Sequence, residues 1–358
     1  MSKLIINFIL TPDSPTPIIA FHTNKLYINN KRKMVIKNII RKSISLMLAG
    51  LMAATVCSCT SGGNAGGNGK LKIVTTIFPE YDWVRNIAGD NIDNIDLTLL
   101  CDNGADMHSY QPTASDIIKI SSCDVFVYVG GESDEWVEDA IKEAVNKDMK
   151  VVNLMAILDG ETVQEEIVEG MQTEDEEEEE GGVEYDEHVW LSLNHAQRLV
   201  IEIAKVMGEA DPDNRQKYDD NAEAYGVKLY DLDLKYQEAV NSAGKDTLLF
   251  GDRFPFRYLT DDYNLKYYAA FAGCSAETEA SFDTVVFLSN KVDELGLKAV
   301  ITIDSGDQAI AKTIIDNTTS KDQEILVLDS MQSTKTSDNR SYVQIMESNL
   351  EVLKKALG

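Results

Sequence analysis

The chain has 358 residues, enough for two domains of ordinary size, and its hydrophobic content of 44% is normal for a globular protein. A formal net charge of −27 argues against nucleic acids and anionic membrane surfaces as partners. A cation is the natural counterpart of such an acidic surface, although a plain solvated face is the commoner reason for high charge.

The amino-terminal region is typical of a lipoprotein export signal. Basic residues after Met34 precede an apolar stretch in MVIKNIIRKSISLMLAGLMAATVCSC, which is too short and too one-sided for a spanning helix. The closing VCSC resembles the lipobox of bacterial lipoproteins, which makes residues 34–58 the signal peptide and Cys59 the lipidated first residue of the mature chain. Residues 1–33 carry no recognisable pattern, and we expect translation to begin at Met34.

Residues 59–70 are predicted to form a flexible tether. They contain TSGGNAGGNGK, which is rich in glycine and asparagine and has no core-forming side chain. A lipid on Cys59 followed by such a tether would hold the folded part at a membrane without inserting it. No later stretch of the sequence is long and apolar enough to span a bilayer.

The three remaining cysteines are Cys101, Cys123 and Cys274. Their odd number, their wide spacing and the absence of any CxxC argue against a disulfide framework or a structural zinc knot. The pattern favours three partly buried thiols without a special role.

Strand and helix patterns alternate from residue 71 to residue 210. The β-rich segments are KIVTTIF, IDLTLL, DVFVYVGG and KVVNLM, and between them lie the helical segments PEYDWVRNIAG, PTASDIIKISS and DEWVEDAIKEAVNK. Apolar strands separated by helices indicate parallel βαβ units covered on both faces. We therefore predict an N-terminal α/β lobe over residues 71–210.

One segment of this lobe, residues 170–181, has no pattern of regular structure. It contains the acidic run Glu174, Asp175, Glu176, Glu177, Glu178, Glu179 and Glu180. Seven consecutive like charges repel one another and predict a solvated, mobile loop. The loop is either an insertion under weak constraint or a low-affinity collector of divalent ions beside a cleft.

The most regular predicted helix covers residues 211–242. Asp211-Pro212 is a helix start, and an apolar stripe then recurs at alternating spacings of four and three, formed by Tyr218, Ala222, Tyr225, Leu229, Leu232 and Tyr236. A helix of about 28 residues is roughly 42 Å long, enough to run along two lobes. Such a rod permits less hinge motion than a flexible linker.

The strand–helix alternation resumes over residues 243–358. Its β-rich segments are TLLFG, KYYAAF, KAVITID and EILVLD, and the chain closes with the helical segment YVQIMESNLEVLKKAL. This predicts a second lobe of the same class. The expected fold is α/β with two lobes, each a mostly parallel sheet flanked by helices, joined by one long rigid helix.

His108 and His188 are the histidines best placed for chemistry. Each lies in a loop just ahead of a predicted helix, within ADMHSYQPTASD and EYDEHVWLSLNHAQRLV. Ligands of α/β folds bind in such loops, and two imidazoles with nearby carboxylates would suit zinc or manganese. Taken singly, each histidine is more often a hydrogen-bonded surface or core residue.

The combined pattern is more specific than either histidine. HSYQPTASD followed by DEHVWLS, a long capped helix and an α/β second half resembles the metal-binding receptors of ABC importers, the zinc/manganese solute-binding family often called cluster A-I. The resemblance covers nearly all of the mature chain, including the lipobox. An acidic or histidine-rich loop ahead of the second histidine is a feature of that family.

The resemblance implies a bacterial extracytoplasmic receptor, held at the cell membrane by its lipid anchor alone. It would capture one divalent ion between two lobes and deliver it to an ABC permease and its ATPase. Zn2+ is the expected transported ligand and Mn2+ the alternative, and a monomer is expected.

The resemblance also implies a ligand set. It makes His108 the first ligand, His188 the second, and Asp329 in LVLDSMQ the acid after the last strand. The family's third ligand matches Gly251, which has no ligand atom. Adjacent Asp252 is the favoured substitute, and water is the alternative.

Other candidate residues are weaker. Glu279 matches a family glutamate for which a structural role is expected, and Asp304 ends another predicted strand. His195 is expected to be an exposed residue in the first turn of a helix. His22 lies outside the mature protein.

Two other classes of function stay open at this stage. A His/His/Asp site with an open position is also the geometry of catalytic zinc, for which Asp252 or Glu187 could act as base. The chain contains no HExxH, GxSxG or GxxxxGK motif, so we expect no enzyme. A surface adhesin is the third class, and stoichiometric metal binding that is lost in His108→Ala would separate it from a receptor.

Overall fold

The computed structural model describes residues 69–172, 184–275 and 279–358. They form two lobes, each built on one four-stranded sheet whose strand pairs are all parallel. The predicted α/β class with two sheets flanked by helices is confirmed.

The sheet of the first lobe has the strand order β2-β1-β3-β4. Its strands are β1 (Leu71–Thr75), β2 (Ile95–Leu99), β3 (Val125–Tyr128) and β4 (Lys150–Asn153). Its helices are α1 (Phe78–Ala88), α2 (Ala114–Ser122), α3 (Trp136–Lys142) and α4 (Leu154–Ile157). Helix α3 is shorter than the segment DEWVEDAIKEAVNK predicted, because the chain turns back after it and Val145 and Asn146 donate backbone hydrogen bonds to Ser121.

Two long helices follow the last strand of the first sheet: α5 (Leu193–Ala210) and α6 (Arg215–Ser242). A short 3-10 turn, Pro212–Asn214, leads into the 28 residues of α6. The predicted long helix is therefore present, and the whole stripe from Tyr218 to Tyr236 is buried as its spacing indicated.

The sheet of the second lobe has the strand order β6-β5-β7-β8. Its strands are β5 (Thr247–Phe254), β6 (Lys266–Ala272), β7 (Ala299–Ile303) and β8 (Glu324–Leu328). Its helices are α7 (Arg257–Asp262), α8 (Phe282–Leu295), α9 (Ala309–Asn317) and α10 (Tyr342–Leu357). The pairing of β5 with β6 shifts register between Phe250 and Arg253, which alters the direction of the side chains at the end of β5.

Helix α6 is bonded to both lobes. Asn221 Nδ2 donates to the carbonyl oxygen of Ile87 in α1 at 2.9 Å, and Tyr236 Oη donates to that of Met346 in α10 at 2.6 Å. Because α1 belongs to the first lobe and α10 to the second, α6 is a rigid strut between them.

Buried hydrogen bonds also join the lobes directly. Trp190 Nε1 donates to the carbonyl oxygen of Ser330 at 2.8 Å, and Tyr342 Oη donates to that of Trp190 at 2.6 Å. The backbone N–H of Tyr342 donates to Asp82 Oδ2 in α1 at 3.0 Å. One hydrophobic cluster of buried residues runs from Ile73 in β1 to Leu357 in α10.

In the part of the chain that the structure describes, no helix has the length and apolarity needed to cross a bilayer. The predicted lobe boundaries, at residues 71–210 and 243–358, stay predictions. The predicted signal peptide and Cys59 lie outside the described residues, as do His22 and the acidic run from Glu174 to Glu180.

Candidate metal centre

His108 lies in a short 3-10 turn, Met107–Ser109, in the loop that follows β2. The side chain of Asp106 caps this turn by accepting from the backbone N–H of His108 at 3.1 Å. The ring nitrogen Nδ1 lies 2.7 Å from Ser133 Oγ in a hydrogen bond. Since Nδ1 is engaged there, Nε2 is the nitrogen left for a ligand.

His188 immediately precedes the 3-10 turn Val189–Leu191, which leads into α5, and its side chain is fully buried. Asp186 Oδ1 accepts from the backbone N–H of His188 at 2.8 Å and lies 2.9 Å from its Nδ1. A carboxylate bonded to Nδ1 holds the proton on that nitrogen and leaves the Nε2 lone pair free, as in the usual support of a metal-bound histidine.

The two imidazoles meet through these free nitrogens. His108 Nε2 lies 3.1 Å from His188 Nε2. Two nitrogens held 2.0–2.1 Å from one tetrahedral zinc ion would be about 3.4 Å apart. The observed pair therefore needs a shift of only a few tenths of an ångström to share an ion.

Cys274 completes a group of three possible metal ligands in the described part of the chain. Its Sγ and one ring nitrogen of each of His108 and His188 all lie within 4.8 Å of one another. The sequence predicted an ordinary, partly buried thiol here. The signal that could have identified Cys274 is its position just beyond β6, at the carboxyl end of a parallel strand where ligands bind.

Gln332 is a second residue of the site that the sequence did not indicate. Its Nε2 lies 2.8 Å from His108 Nε2 and 2.9 Å from His188 Nε2. The amide N–H groups thus face the same two lone pairs for which a cation would compete. Gln332 Oε1 is buried and has no hydrogen-bond partner in the described structure. In LVLDSMQ, Gln332 lies three residues after the acid that the resemblance favoured.

The structure does not bring the two expected carboxylates, Asp252 and Asp329, into this group. Asp252 accepts from its neighbour Arg253 N–H at 2.9 Å and from the backbone N–H of Ile303 at 3.2 Å. Asp329 forms an ion pair with Arg340 and accepts from the backbone N–H of Met331 at 3.0 Å. Both carboxylates are engaged in holding strand ends and loops of the second lobe.

Gly251, which the resemblance matched to the third ligand, lies where β5 packs closely against α9. A Cβ atom at this position would lie 2.6 Å from the Cα of Ala311, so β5 and α9 touch at this point. Beyond the register shift, Arg253 lines a cavity with His108, and Gly251 and Asp252 line the same cavity.

Arg253 forms an ion pair across the cleft. Its Nη2 lies 2.6 Å from Asp106 Oδ2, and Asp106 also caps the turn that carries His108. Although burial opposes it, the Arg253 guanidinium lowers the pKa of Asp106 below its usual range. The pair ties the loop of His108 to the second lobe.

The remaining candidates have structural partners. Asp304 Oδ1 accepts from the backbone N–H of Ser330 at 2.7 Å. His195 is in the first turn of α5, as expected, but it is half-buried against the ring of Tyr258, and so the expectation of exposure was wrong. Glu279 is exposed, and its carbonyl oxygen accepts from Gln172 at 3.5 Å.

Electrostatics at the site favour uncharged donors in the metal-free state. Burial, together with the adjacent His188 ring, lowers the pKa of His108 to about 3. Burial raises the pKa of the Cys274 thiol well above its usual value, and the nearby acids Glu165, Asp186 and Glu187 add to the effect. His108 is therefore neutral at pH 7 with its lone pair available.

A cavity of about 470 Å³ opens beside the group. Asp106, His108, Arg253, Cys274 and Asp307 are among its lining residues. It is lined by residues of both lobes and reaches His108 and Cys274.

The comparison with protein families matches residues 73–356 to ZnuA, described as zinc-uptake complex component A, periplasmic. The chain belongs to the ZnuA family. The match covers almost all of the described residues and includes His108, His188 and Cys274.

Individual relatives agree with the family match. The chain is 32% identical over 316 residues to the zinc-binding lipoprotein AdcA of Streptococcus pneumoniae strain R6, which covers 87% of this chain and 60% of that relative. It is 30% identical over 311 residues to the high-affinity zinc uptake system protein ZnuA of Bacillus subtilis, covering 86% of this chain and 94% of the relative. This chain thus spans about three fifths of the length of AdcA.

A solved structure shows the same fold. The crystal structure of the Zn(II)-bound ZnuA-like domain of Streptococcus pneumoniae AdcA matches with a TM-score of 0.63 and 29% identity, over 81% of this chain and 99% of that domain.

Proposed function

We propose that this ZnuA-family chain is the extracytoplasmic receptor of a metal ABC importer, and that it captures one zinc ion between its two lobes. The observation that carries the proposal is the pair of imidazoles of His108 and His188, whose Nε2 atoms lie 3.1 Å apart and of which the second is fully buried. Zinc is cargo here, so affinity and release are the function and no reaction takes place on the ion.

Zinc is preferred over manganese for two reasons. The relatives that match over most of this chain are named for zinc. The nitrogen donors His108 and His188 suit zinc, whereas manganese favours oxygen ligands, and the general order of affinities also places zinc above manganese. The two carboxylates that would have favoured manganese, Asp252 and Asp329, are bonded elsewhere.

The receptor would act at a membrane surface. We infer that Cys59 carries the lipid anchor, that residues 59–70 are the tether, and that the folded part meets its permease and ATPase as a monomer. The supporting observations are the lipobox-like VCSC and the lipoprotein name of the pneumococcal relative.

The test is a titration of metal-stripped protein with Zn2+ and with Mn2+ by calorimetry. Wild type should bind one zinc ion tightly and manganese more weakly, and His108→Ala or His188→Ala should abolish the tight site. His195→Ala is the matched control, because His195 is half-buried but lies outside the group. Undiminished zinc binding by both variants of the pair would contradict the proposal.

A further inference from the structure

We propose that the thiolate of Cys274 is the third metal ligand, and that it makes the site selective for zinc and other thiophilic ions over manganese. The inference rests on the proposed function and names the residue that determines its specificity. The metal–sulfur bond forms as the thiol proton leaves to solvent.

The distances suit a shared ion. Sulfur and nitrogen ligands at 2.3 Å and 2.0–2.1 Å from a tetrahedral zinc ion are about 3.6 Å apart. Sγ of Cys274 and the nitrogens of His108 and His188 lie within 4.8 Å of one another. The contraction that zinc requires is within reach of side-chain rotation.

The chain around Cys274 is built to approach His188. A Cβ atom on Gly273 would lie 3.1 Å from His188 Cε1 and 2.9 Å from the carbonyl oxygen of Phe254, so a larger residue would push the loop away from the imidazole. The backbone N–H of Cys274 donates to Glu165 Oε1 at 3.0 Å. Glu165 lies ahead of α5 on the side of the first lobe, and it therefore fixes the loop from across the cleft.

Gln332 provides an independent sign that the group is a ligand site. Its Nε2 occupies the point that faces both imidazole lone pairs, and its Oε1 is buried without a partner among the described residues. An incoming cation displaces that N–H group, and rotation of the amide then turns Oε1 toward the ion. The resulting set has two nitrogens, one sulfur and one neutral oxygen.

This donor set has a definite metal preference. Thiolate and imidazole suit Zn2+ and other thiophilic ions, whereas Mn2+ favours carboxylate, carbonyl and water oxygens. The thiolate also supplies the one negative charge among the four donors, since Asp252 and Asp329 are engaged elsewhere. Loss of Cys274 should therefore reduce zinc affinity more than manganese affinity.

The experiment compares wild type with Cys274→Ala, Cys274→His and Cys123→Ala. Cys123→Ala is the matched control, because Cys123 is a fully buried thiol at the end of α2 in the first lobe. Each protein is titrated with Zn2+ and Mn2+, and its Co2+ complex is examined for the near-ultraviolet charge-transfer band that only a thiolate ligand produces. Thermal unfolding without metal checks that each variant folds.

Wild type and Cys123→Ala should both show the thiolate band and should bind zinc with the same affinity. Cys274→Ala should lose the band and at least about 100-fold in zinc affinity, since loss of a mere supporting partner already costs 10–100-fold. Cys274→His should regain zinc binding without the band.

Two outcomes would overturn the inference, and they are distinguishable. If wild type binds zinc tightly through His108 but its Co2+ complex lacks the band and Cys274→Ala binds zinc equally well, the ligand assignment is wrong and the receptor function stands. If wild type shows no tight zinc site, the proposed function fails together with this inference.

Discussion

Both histidine rings at the site are held through Nδ1, and those contacts decide how well Nε2 is aimed. Ser133 Oγ bonds the ring of His108, and Asp186 bonds that of His188. Ser133 reaches His108 from the loop after β3, so the orientation of the first ligand depends on a different segment from the one that carries it. Such supporting partners tune metal affinity although they never touch the metal.

Ser133→Ala should therefore weaken zinc binding by about 10–100-fold, because the ring of His108 loses its fixed orientation. The backbone N–H of Ser133 would keep its bond to Glu187 Oε1, so the loop should stay folded. Calorimetric titration with zinc measures the effect. Ser109→Ala is the control, because Ser109 is in the same turn as His108 but its hydroxyl donates to the backbone of Asp106. Equal affinities for the two variants would contradict the role given to Ser133.

Asp134, adjacent to Ser133, should make stability depend on pH. Burial, with a contribution from the charge of Glu187, raises the pKa of Asp134 to about 7, above an unfolded value of about 3.9. Between these values the folded state holds a proton that the unfolded state has lost. The contribution of protonated Asp134 to the free energy of unfolding is complete below about pH 4. It is lost as the pH rises through 7, and the loss is up to about 4 kcal/mol.

Asp134→Asn removes this dependence while it can still accept the bond from the backbone N–H of Gly130. Relative to wild type, the variant should gain stability as the pH rises from about 4 to about 7, and the difference should then level off. Urea unfolding across that range measures the difference. The exposed residue Asp139 provides the control Asp139→Asn, which should follow wild type at every pH. Parallel curves for Asp134→Asn and wild type would refute the assignment.

At the scale of single elements, α6 contains a glycine that nothing requires. Gly226 lies in the middle of the helix, and a Cβ atom there would meet no atom within 4 Å. Gly226→Ala should raise the free energy of unfolding by about 0.5–1 kcal/mol, because glycine has the larger backbone entropy to lose.

Chemical denaturation checks the gain, and α5 provides the matched control. A Cβ atom on Gly208 would lie 2.9 Å from Arg215 Cγ and 3.3 Å from Arg215 Cα, so Gly208→Ala should destabilise the protein. A loss of stability in Gly226→Ala would show that α6 is strained or bent at this point.

The sequence predicted best those helices and strands that have a regular pattern of apolar residues. The buried stripe of α6 and the apolar strands of both sheets follow from local patterns, because one face of a helix or both faces of a strand must be covered. The ends of elements were less predictable: α3 stops at Lys142 because of tertiary hydrogen bonds from Val145 and Asn146.

Some residues of the site could likewise be predicted from local sequence and others could not. His108 and His188 could be singled out because each lies in a recognisable local motif. Cys274 and Gln332 come from distant loops of the second lobe, and only the packing of that lobe against the first brings them to the imidazoles. The spacing of residues in the sequence does not show which distant loops will come into contact. Because glycine occupies the position of the family's third ligand, the neighbouring Asp252 was predicted in its place.

At the scale of the whole molecule, several kinds of interaction join the two lobes. Helix α6 bonds both of them, the side chains of Trp190 and Tyr342 bond across them in the interior, and a continuous cluster of apolar side chains passes between them. Independent rotation of a lobe would break buried hydrogen bonds and expose apolar area, which are both costly. Large hinge motions are therefore disfavoured.

Metal binding should accordingly move the side chains of the site more than it moves the two lobes relative to each other. The ligand atoms are already within 4.8 Å of one another, so capture needs small movements of Cys274, Gln332 and the loop of His108. We expect the radius of gyration from small-angle X-ray scattering to change by less than ~1 Å on zinc addition, as in other pre-organised complexes. Trp190→Phe, which removes one buried bond between the lobes, should permit a larger change. A wild-type change of several ångströms would mean that the lobes separate in the metal-free protein, and that the bonds of Trp190 and Tyr342 form only when the ion is bound.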